Sequence, residues 1–208
     1  MNGVWLKKTF DNRLDNIGRE TSFESYGPNW ARVSTAPLRM FKAFTYEGGT
    51  RSPAMIAGPM VRGGRVSNAY ASVKDIAPTL LALAAAPVPG AGQPAMSGRS
   101  MVNFLKGRSA LVHPADKPQC LELVGRVAVR RGRWKLVFSN TPWGTGAWEL
   151  FDLKADPGEQ SDLAGRGLPI QQTLVADWQA CQATNNIRWN AELADRISYG
   201  NINGHFER

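Results

Sequence analysis

The stretch Arg39-Met40-Phe41-Lys42-Ala43-Phe44-Thr45-Tyr46-Glu47-Gly48-Gly49-Thr50-Arg51-Ser52-Pro53 sets one lysine among apolar residues, follows it with two glycines, and ends on a proline that opens an apolar run. Phe41, Phe44 and Tyr46 imply burial around Lys42, and a buried lysine needs a counter-charge, so a nearby anion would account for the arrangement. A surface lysine whose stem lies along aromatic rings fits the same residues. The Gly48-Gly49 pair permits backbone conformations closed to other residues, which suits a tight turn or a close approach of the chain to a ligand.

Immediately downstream, Ala54-Met55-Ile56-Ala57 is bounded by Pro53 and by Gly58-Pro59. It has the length and the lack of a polar face expected of a fully buried strand in a sheet covered on both sides. After the turn at Gly63-Gly64 the pattern becomes helical. Ile76, Leu80, Leu83 and Ala84 are spaced to share one face of a helix over residues 75–86, with Asp75 at its start and Pro78 in its first turn. Upstream, Phe10 to Trp30 mixes Asp, Asn, Arg, Gly and aromatics without a steady period, as in a long structured loop. Its Asp-Asn pairs read as cap and turn residues rather than as calcium ligands.

Beyond Pro87–Pro94, a Pro-, Gly- and Ala-rich loop, and the polar link 107–117, the period changes to two. Val127 and Val129 alternate with small or charged neighbours, Arg131-Gly132 offers a turn, and Trp134, Leu136 and Phe138 share the inner face of the next strand. A third strand follows at Trp148–Asp152, and Asp156-Pro157-Gly158 turns the chain after it. From Pro169 a helix begins in which Ile170, Leu174, Trp178 and Cys181 fall on one stripe, suited to covering one face of this small antiparallel sheet.

The 208 residues allow one large domain or two small ones, with an apolar share typical of globular chains. No apolar run is long enough to span a membrane, and residues 1–10 lack the features of a signal peptide, so the sequence reads as soluble as it stands. Cys120 and Cys181 lie far apart among ordinary core residues and read as two free thiols. The net charge of +8 is scattered rather than blocked, which supports a taste for anions. A nucleic-acid-associated basic protein is the reading of last resort, because no nucleic-acid-binding signature organises the cations.

Several of these stretches together resemble the type I sulfatases, in order and in spacing. They are Tyr26-Gly27-Pro28-Asn29-Trp30-Ala31 through Phe41-Lys42-Ala43-Phe44, then Glu47-Gly48-Gly49-Thr50-Arg51-Ser52-Pro53-Ala54, Lys74-Asp75-Ile76-Ala77-Pro78-Thr79-Leu80-Leu81 and Gly98-Arg99-Ser100. Trp148-Glu149-Leu150-Phe151-Asp152-Leu153, Asp156-Pro157-Gly158-Glu159 and Asp162-Leu163-Ala164 complete the set. The resemblance is to the C-terminal part of a bacterial arylsulfatase. It implies an α/β fold: residues 1–110 would end an alkaline-phosphatase-like α/β sandwich, 111–185 would form a C-terminal subdomain of antiparallel sheet and one helix, and 186–208 would be a tail. It also implies that Lys42 contacts an oxygen of a substrate sulfate.

The resemblance implies chemistry whose parts are not in these residues. The family attacks sulfur with a formylglycine made from Cys in Cys-X-Pro-X-Arg, beside a calcium held by aspartates and an asparagine. Cys120 precedes Leu121-Glu122-Leu123-Val124, Cys181 precedes Gln182-Ala183-Thr184-Asn185, and Asp15-Asn16 is followed by Ile17. His113 and His205 fall outside the family's catalytic segments. Lys42 is therefore the one site residue carried over, as a substrate contact, with no catalytic or metal-ligating residue and neither calcium nor formylglycine in this chain. The expectation is a sulfatase fragment inactive by itself, poorly soluble alone or associated with a complementary N-terminal chain, with sulfate esters as the parent's substrates. The alternative is a non-catalytic binder of sulfated or phosphorylated anions.

Overall fold

Alternation of apolar and polar residues needs a different cover for each face of a sheet, and the chain supplies two. The computed structural model describes residues 10–23, 27–88, 90, 92 and 95–192. In chain order the helices are α1 (Gly27–Thr35), α2 (Glu47–Thr50), α3 (Ile76–Leu83) and α4 (Val102–Leu105). Strands β1 (Gln119–Leu123), β2 (Arg126–Arg131), β3 (Trp134–Phe138) and β4 (Trp148–Asp152) follow, and then helix α5 (Pro169–Asn185). Among the described residues, the chain up to Arg51 forms one compact unit with the chain from Pro118 onward, and Ser52–Lys117 forms a second.

In the first unit the strands make one antiparallel sheet in the order β1-β2-β3-β4. The register sets Val129 opposite Leu136, and Leu136 opposite Leu150. One face therefore carries Val127, Val129, Leu136, Phe138 and Leu150, which pack with Leu174 and Trp178 of α5. The hairpin, the strand at Trp148–Asp152 and the helical stripe from Ile170 to Cys181 are all as the sequence predicts.

The opposite face is also buried. Ala128, Val137 and Phe151 pack with Met40, Phe44 and Tyr46, so the segment read first in the sequence is the sheet's second cover. Thr45 Oγ1 donates to the Val127 carbonyl at 3.1 Å, and Arg126 Nη1 donates to the Ala43 carbonyl at 3.3 Å. The two glycines permit this docking. A Cβ on Gly48 would overlap the carbonyls of Met40 and Arg39, and one on Gly49 those of Phe44 and Phe41. Their role in the structure is close approach of chain to chain.

Within Ser52–Lys117 the organising group is Asp75, fully buried at the end of a 3-10 turn over Val73–Asp75. It closes a capping box with Ser72, whose N–H it accepts at 2.7 Å, and it also accepts the Arg99 N–H at 2.7 Å. His113 Nε2 lies 2.8 Å from the same carboxylate. Burial pushes the carboxyl up, but the N–H groups of Arg99 and Ser72 and the His113 ring outweigh it and hold it below the usual carboxylate range. Met101, Leu105 and Val112 form a small apolar cluster in the same unit.

Four readings of the sequence are corrected. Ala54–Ala57 is exposed irregular chain, not a buried strand, and Met55 is 94% exposed, because a strand needs neighbours and the described residues pair none with it. Ile76 and Leu80, assigned to a packed helix face, are exposed, while Thr79 is the buried residue of α3. Helix α1 lies partly in the stretch read as loop, and β1 was absent from the reading because its outer residues, Leu121 and Leu123, stand half-exposed at the sheet edge. Cys120 and Cys181 form a disulfide. Cys120 faces the helix side of β1, opposite Val129, where the stripe of α5 brings Cys181 against it.

That bond ties an edge strand to the helix across 61 residues of chain. Cys120→Ala with Cys181→Ala, or reduction of the natural protein, should lower unfolding stability by about 2–4 kcal/mol. The midpoint of a urea melt measures it, and an unmoved midpoint would mean that the apolar core alone holds α5.

Candidate functional site

The turn that carries Lys42 is built before it is used. Met40 and Ala43 both take left-handed backbone angles, with φ of 60° and 78°, so the chain reverses tightly on either side of the lysine. Thr35 Oγ1 donates to the Met40 carbonyl at 2.7 Å, Gly48 N–H to the Arg39 carbonyl at 2.8 Å, and Phe44 N–H to the Phe41 carbonyl at 3.1 Å. Phe41 and Phe44 meet edge to face at 5.1 Å. Lys42 itself points outward. It is exposed, and it makes no hydrogen bond or ion pair among the described residues.

The cation that is buried among these residues is Lys135, 3% exposed in the middle of β3. Its Nζ lies 2.8 Å from Glu47 Oε1 and 2.9 Å from Glu159 Oε1. Glu159 accepts the Glu47 N–H through its other oxygen at 2.6 Å, which satisfies an otherwise unpaired donor at the start of α2. Burial pushes the Glu159 carboxyl up, against the pull of the Lys135 ammonium and of that N–H.

A second ion pair lies alongside. Arg39 Nη1 lies 2.9 Å from Glu149 Oε1, the Tyr46 hydroxyl donates to Glu149 Oε2, and the Arg39 guanidinium stacks 4.2 Å from the centre of the Tyr46 ring. Burial, and then the Glu149 carboxylate, push the Tyr46 phenol above its usual range. Alternation explains why these groups meet. Lys135 in β3 and Glu149 in β4 point to the face opposite α5, and the segment that covers that face brings Arg39, Tyr46 and Glu47. The sequence places Tyr46 among buried aromatics but gives none of these five residues, nor Glu159, a charge partner. The one signal was Lys135 between Trp134 and Leu136, a charge on a strand whose outer face looked free for water.

Of the residues singled out in the sequence, Lys42 lies on the turn and the glycine pair lies in α2, packed against the carbonyls of that turn. His113 lies in the other compact unit beside Asp75, and Tyr70 stacks edge to face on its ring at 5.6 Å. His205, with residues 193–208, lies outside the described residues. The cysteines are consumed in their disulfide, and among the described residues no three His, Cys, Asp or Glu side chains are gathered as a metal would need.

Comparison with known proteins gives these features a family. Residues 39–180 match the family described as N-sulphoglucosamine sulphohydrolase, C-terminal. The chain is 36% identical over 190 residues to an uncharacterized sulfatase of Schizosaccharomyces pombe, covering 86% of this chain and 33% of that protein. It is 32% identical over 166 residues to human arylsulfatase A, covering 67% of this chain and 32% of that one. A stretch of 75 residues, 35% of this chain and 16% of its relative, is 47% identical to the arylsulfatase of Klebsiella aerogenes. The fold also resembles a solved protein from work on glycosaminoglycan metabolism by Bacteroides thetaiotaomicron, with a TM-score of 0.60 at 24% identity over 70% of this chain and 32% of that one. The chain thus spans a third or less of the length of these relatives.

The geometry around Lys135 predicts a particular response to mutation. Lys135→Met leaves Glu47 and Glu159 facing each other without a cation, and should cost about 3–5 kcal/mol at neutral pH. A raised folded-state pKa means that the native state holds the Glu159 proton more tightly than the unfolded chain does. The variant's stability should therefore be greatest below the unfolded carboxyl range and fall as pH rises through the folded value. Urea melts across pH measure this, and a loss independent of pH would show that the cost is one of packing.

Proposed function

We propose a function from one premise: this chain belongs to the sulfatase family. It corresponds to the C-terminal part of its relatives, and the reading that the geometry supports best is a scaffold that presents Lys42 to the sulfate group of a sulfate ester. One observation carries it. The backbone on both sides of Lys42 is fixed by hydrogen bonds and close packing, while the ammonium is exposed and unpaired among the described residues.

A lysine held this way acts through charge. Its Nζ carries three donors on a compact cation, suited to a sulfate oxygen in the ground state and to the negative charge that grows on sulfate and leaving oxygen as the S–O bond breaks. The entropy of positioning is reduced because only the side chain remains to be ordered. Lys42 is a binding and stabilising group and has no role as nucleophile.

The residues present do not fit the other groups that the family resemblance implies. A formylglycine requires a cysteine free to be converted, and both are held in the disulfide; a calcium requires gathered oxygen ligands, and no such cluster occurs among the described residues. We therefore assign nucleophile and metal to chain beyond these 208 residues, and predict that this chain alone does not hydrolyse sulfate esters. The exposed apolar side chains of Met55, Ile56, Val66 and Leu80 favour a complementary sulfatase domain as the partner of Ser52–Lys117. No helix among the described residues is long and apolar enough to cross a membrane.

The test is twofold. The purified chain should show no turnover of an aryl sulfate above a Lys42→Ala control, and turnover above it would sink the proposal. In the longer protein, or with a complementary N-terminal chain supplied, Lys42→Ala should lower kcat/KM by 100-fold or more, as loss of one preorganised charge contact does. Saturable binding of a sulfate ester by this chain, lost in Lys42→Ala and with no turnover in the completed protein, would favour the non-catalytic anion binder.

A further inference from the structure

The unit Ser52–Lys117 contains seven Lys and Arg against two Asp. Asp75 is buried and engaged with Ser72, Arg99 and His113, so it does nothing for the surface charge. The imbalance is concentrated at one place. Gly107 follows α4 with a left-handed φ of 73°, and a Cβ there would sit 3.0 Å from Arg62 Cδ, 3.3 Å from Arg62 Nη1 and 3.9 Å from Arg65 Nη1. Two exposed guanidinium groups thus converge beside Gly107, and Lys106 and Arg108 flank it in sequence.

Arg65 is positioned. Its Nη2 donates to the Phe104 carbonyl at 2.8 Å, its Nε donates to the Arg62 carbonyl at 3.2 Å, and its guanidinium lies 5.3 Å from the centre of the Phe104 ring. Those bonds leave Nη1 facing the convergence point. Arg62 has no side-chain partner among the described residues, and neither arginine is paired with a carboxylate. Like charges brought together on a surface repel, and an anion with several acceptor oxygens relieves the repulsion while accepting from both forks.

We infer that the surface around Gly107 is an anion-binding site, separate from Lys42, that takes a sulfate group of a multiply sulfated saccharide. The choice of sulfate rests on the sulfatase reading above; the convergence of Arg62 and Arg65 does not. A ligand with several sulfate groups has more than one chance to engage the pair, so the site would favour sulfated polymers over simple esters. A nucleic-acid backbone is the competing polyanion, and it is less suited because no exposed aromatic platform accompanies these arginines.

The test uses the 208-residue chain and a size-defined heparin oligosaccharide, with its desulfated counterpart and a DNA duplex of similar length as comparisons, followed by titration calorimetry across salt. The heparin fragment should bind, the desulfated one should not, and Arg62→Gln with Arg65→Gln should weaken binding at least ten-fold and flatten its salt dependence. Arg62→Gln alone disturbs no hydrogen bond, so it should weaken binding several-fold even if loss of Arg65 loosens α4. Binding unchanged in both variants, or DNA bound as tightly as heparin, would overturn the site. The sulfatase reading at Lys42 is judged by aryl sulfate turnover in the completed protein and this site by the response of heparin binding to Arg62→Gln and Arg65→Gln, so a failure of one and a failure of the other give different results.

Discussion

Lys135, held between Glu47 and Glu159, is the interaction on which the first compact unit depends. Removing an ammonium and two carboxylates from water is costly, and their attraction offsets the cost only when every partner is in place. The three partners come from β3, from the first turn of α2 and from the loop after β4, separated by 88 and 24 residues of chain. A sheet covered by apolar groups alone would tolerate sliding of its cover. This cover is fixed in one register, because any shift that separates Glu47 from Lys135 strands a buried charge.

That register sets where Lys42 stands. The segment from Arg39 to Thr50 is tied to the sheet at both ends, by Arg39 to Glu149 and by Glu47 to Lys135, and the turn between them projects one cation outward. The two lysines divide the roles that the sequence appeared to give to one. Lys135 neutralises buried carboxylates and specifies geometry, whereas Lys42 is exposed and makes no ion pair among the described residues. The glycine pair serves the same end, since a methyl group at Gly48 or Gly49 would lift the cover off its carbonyl contacts.

Periodicity made the hairpin, the strand at Trp148–Asp152 and the stripe of α5 legible, because each has one face that is wholly apolar and repeats at its own period. The second face of the sheet was hidden, since Lys135 and Glu149 look like residues meant for water until the segment more than 80 positions upstream is laid over them. Local pattern carries no information on that pairing. The disulfide was hidden for the same reason: Cys120 and Cys181 are ordinary within their own elements and meet only once strand and helix pack. Ala54–Ala57 failed in the opposite sense, for its apolar pattern is that of a buried strand but its partners are not among the described residues.

The contrast between the two compact units extends this argument. In the first, charged groups are buried and matched, and α5 and the Lys42 segment close both faces of the sheet. In the second, Asp75 is satisfied at the centre while apolar side chains at Met55, Val66 and Leu80 and the arginines beside Gly107 are exposed. Local hydrogen bonding is therefore complete where burial is not. The capping box joins Ser72 and Asp75, three positions apart, so it needs no covering surface. Burial of an apolar run requires a second surface laid over it, and among the described residues none covers Met55, Val66 or Leu80.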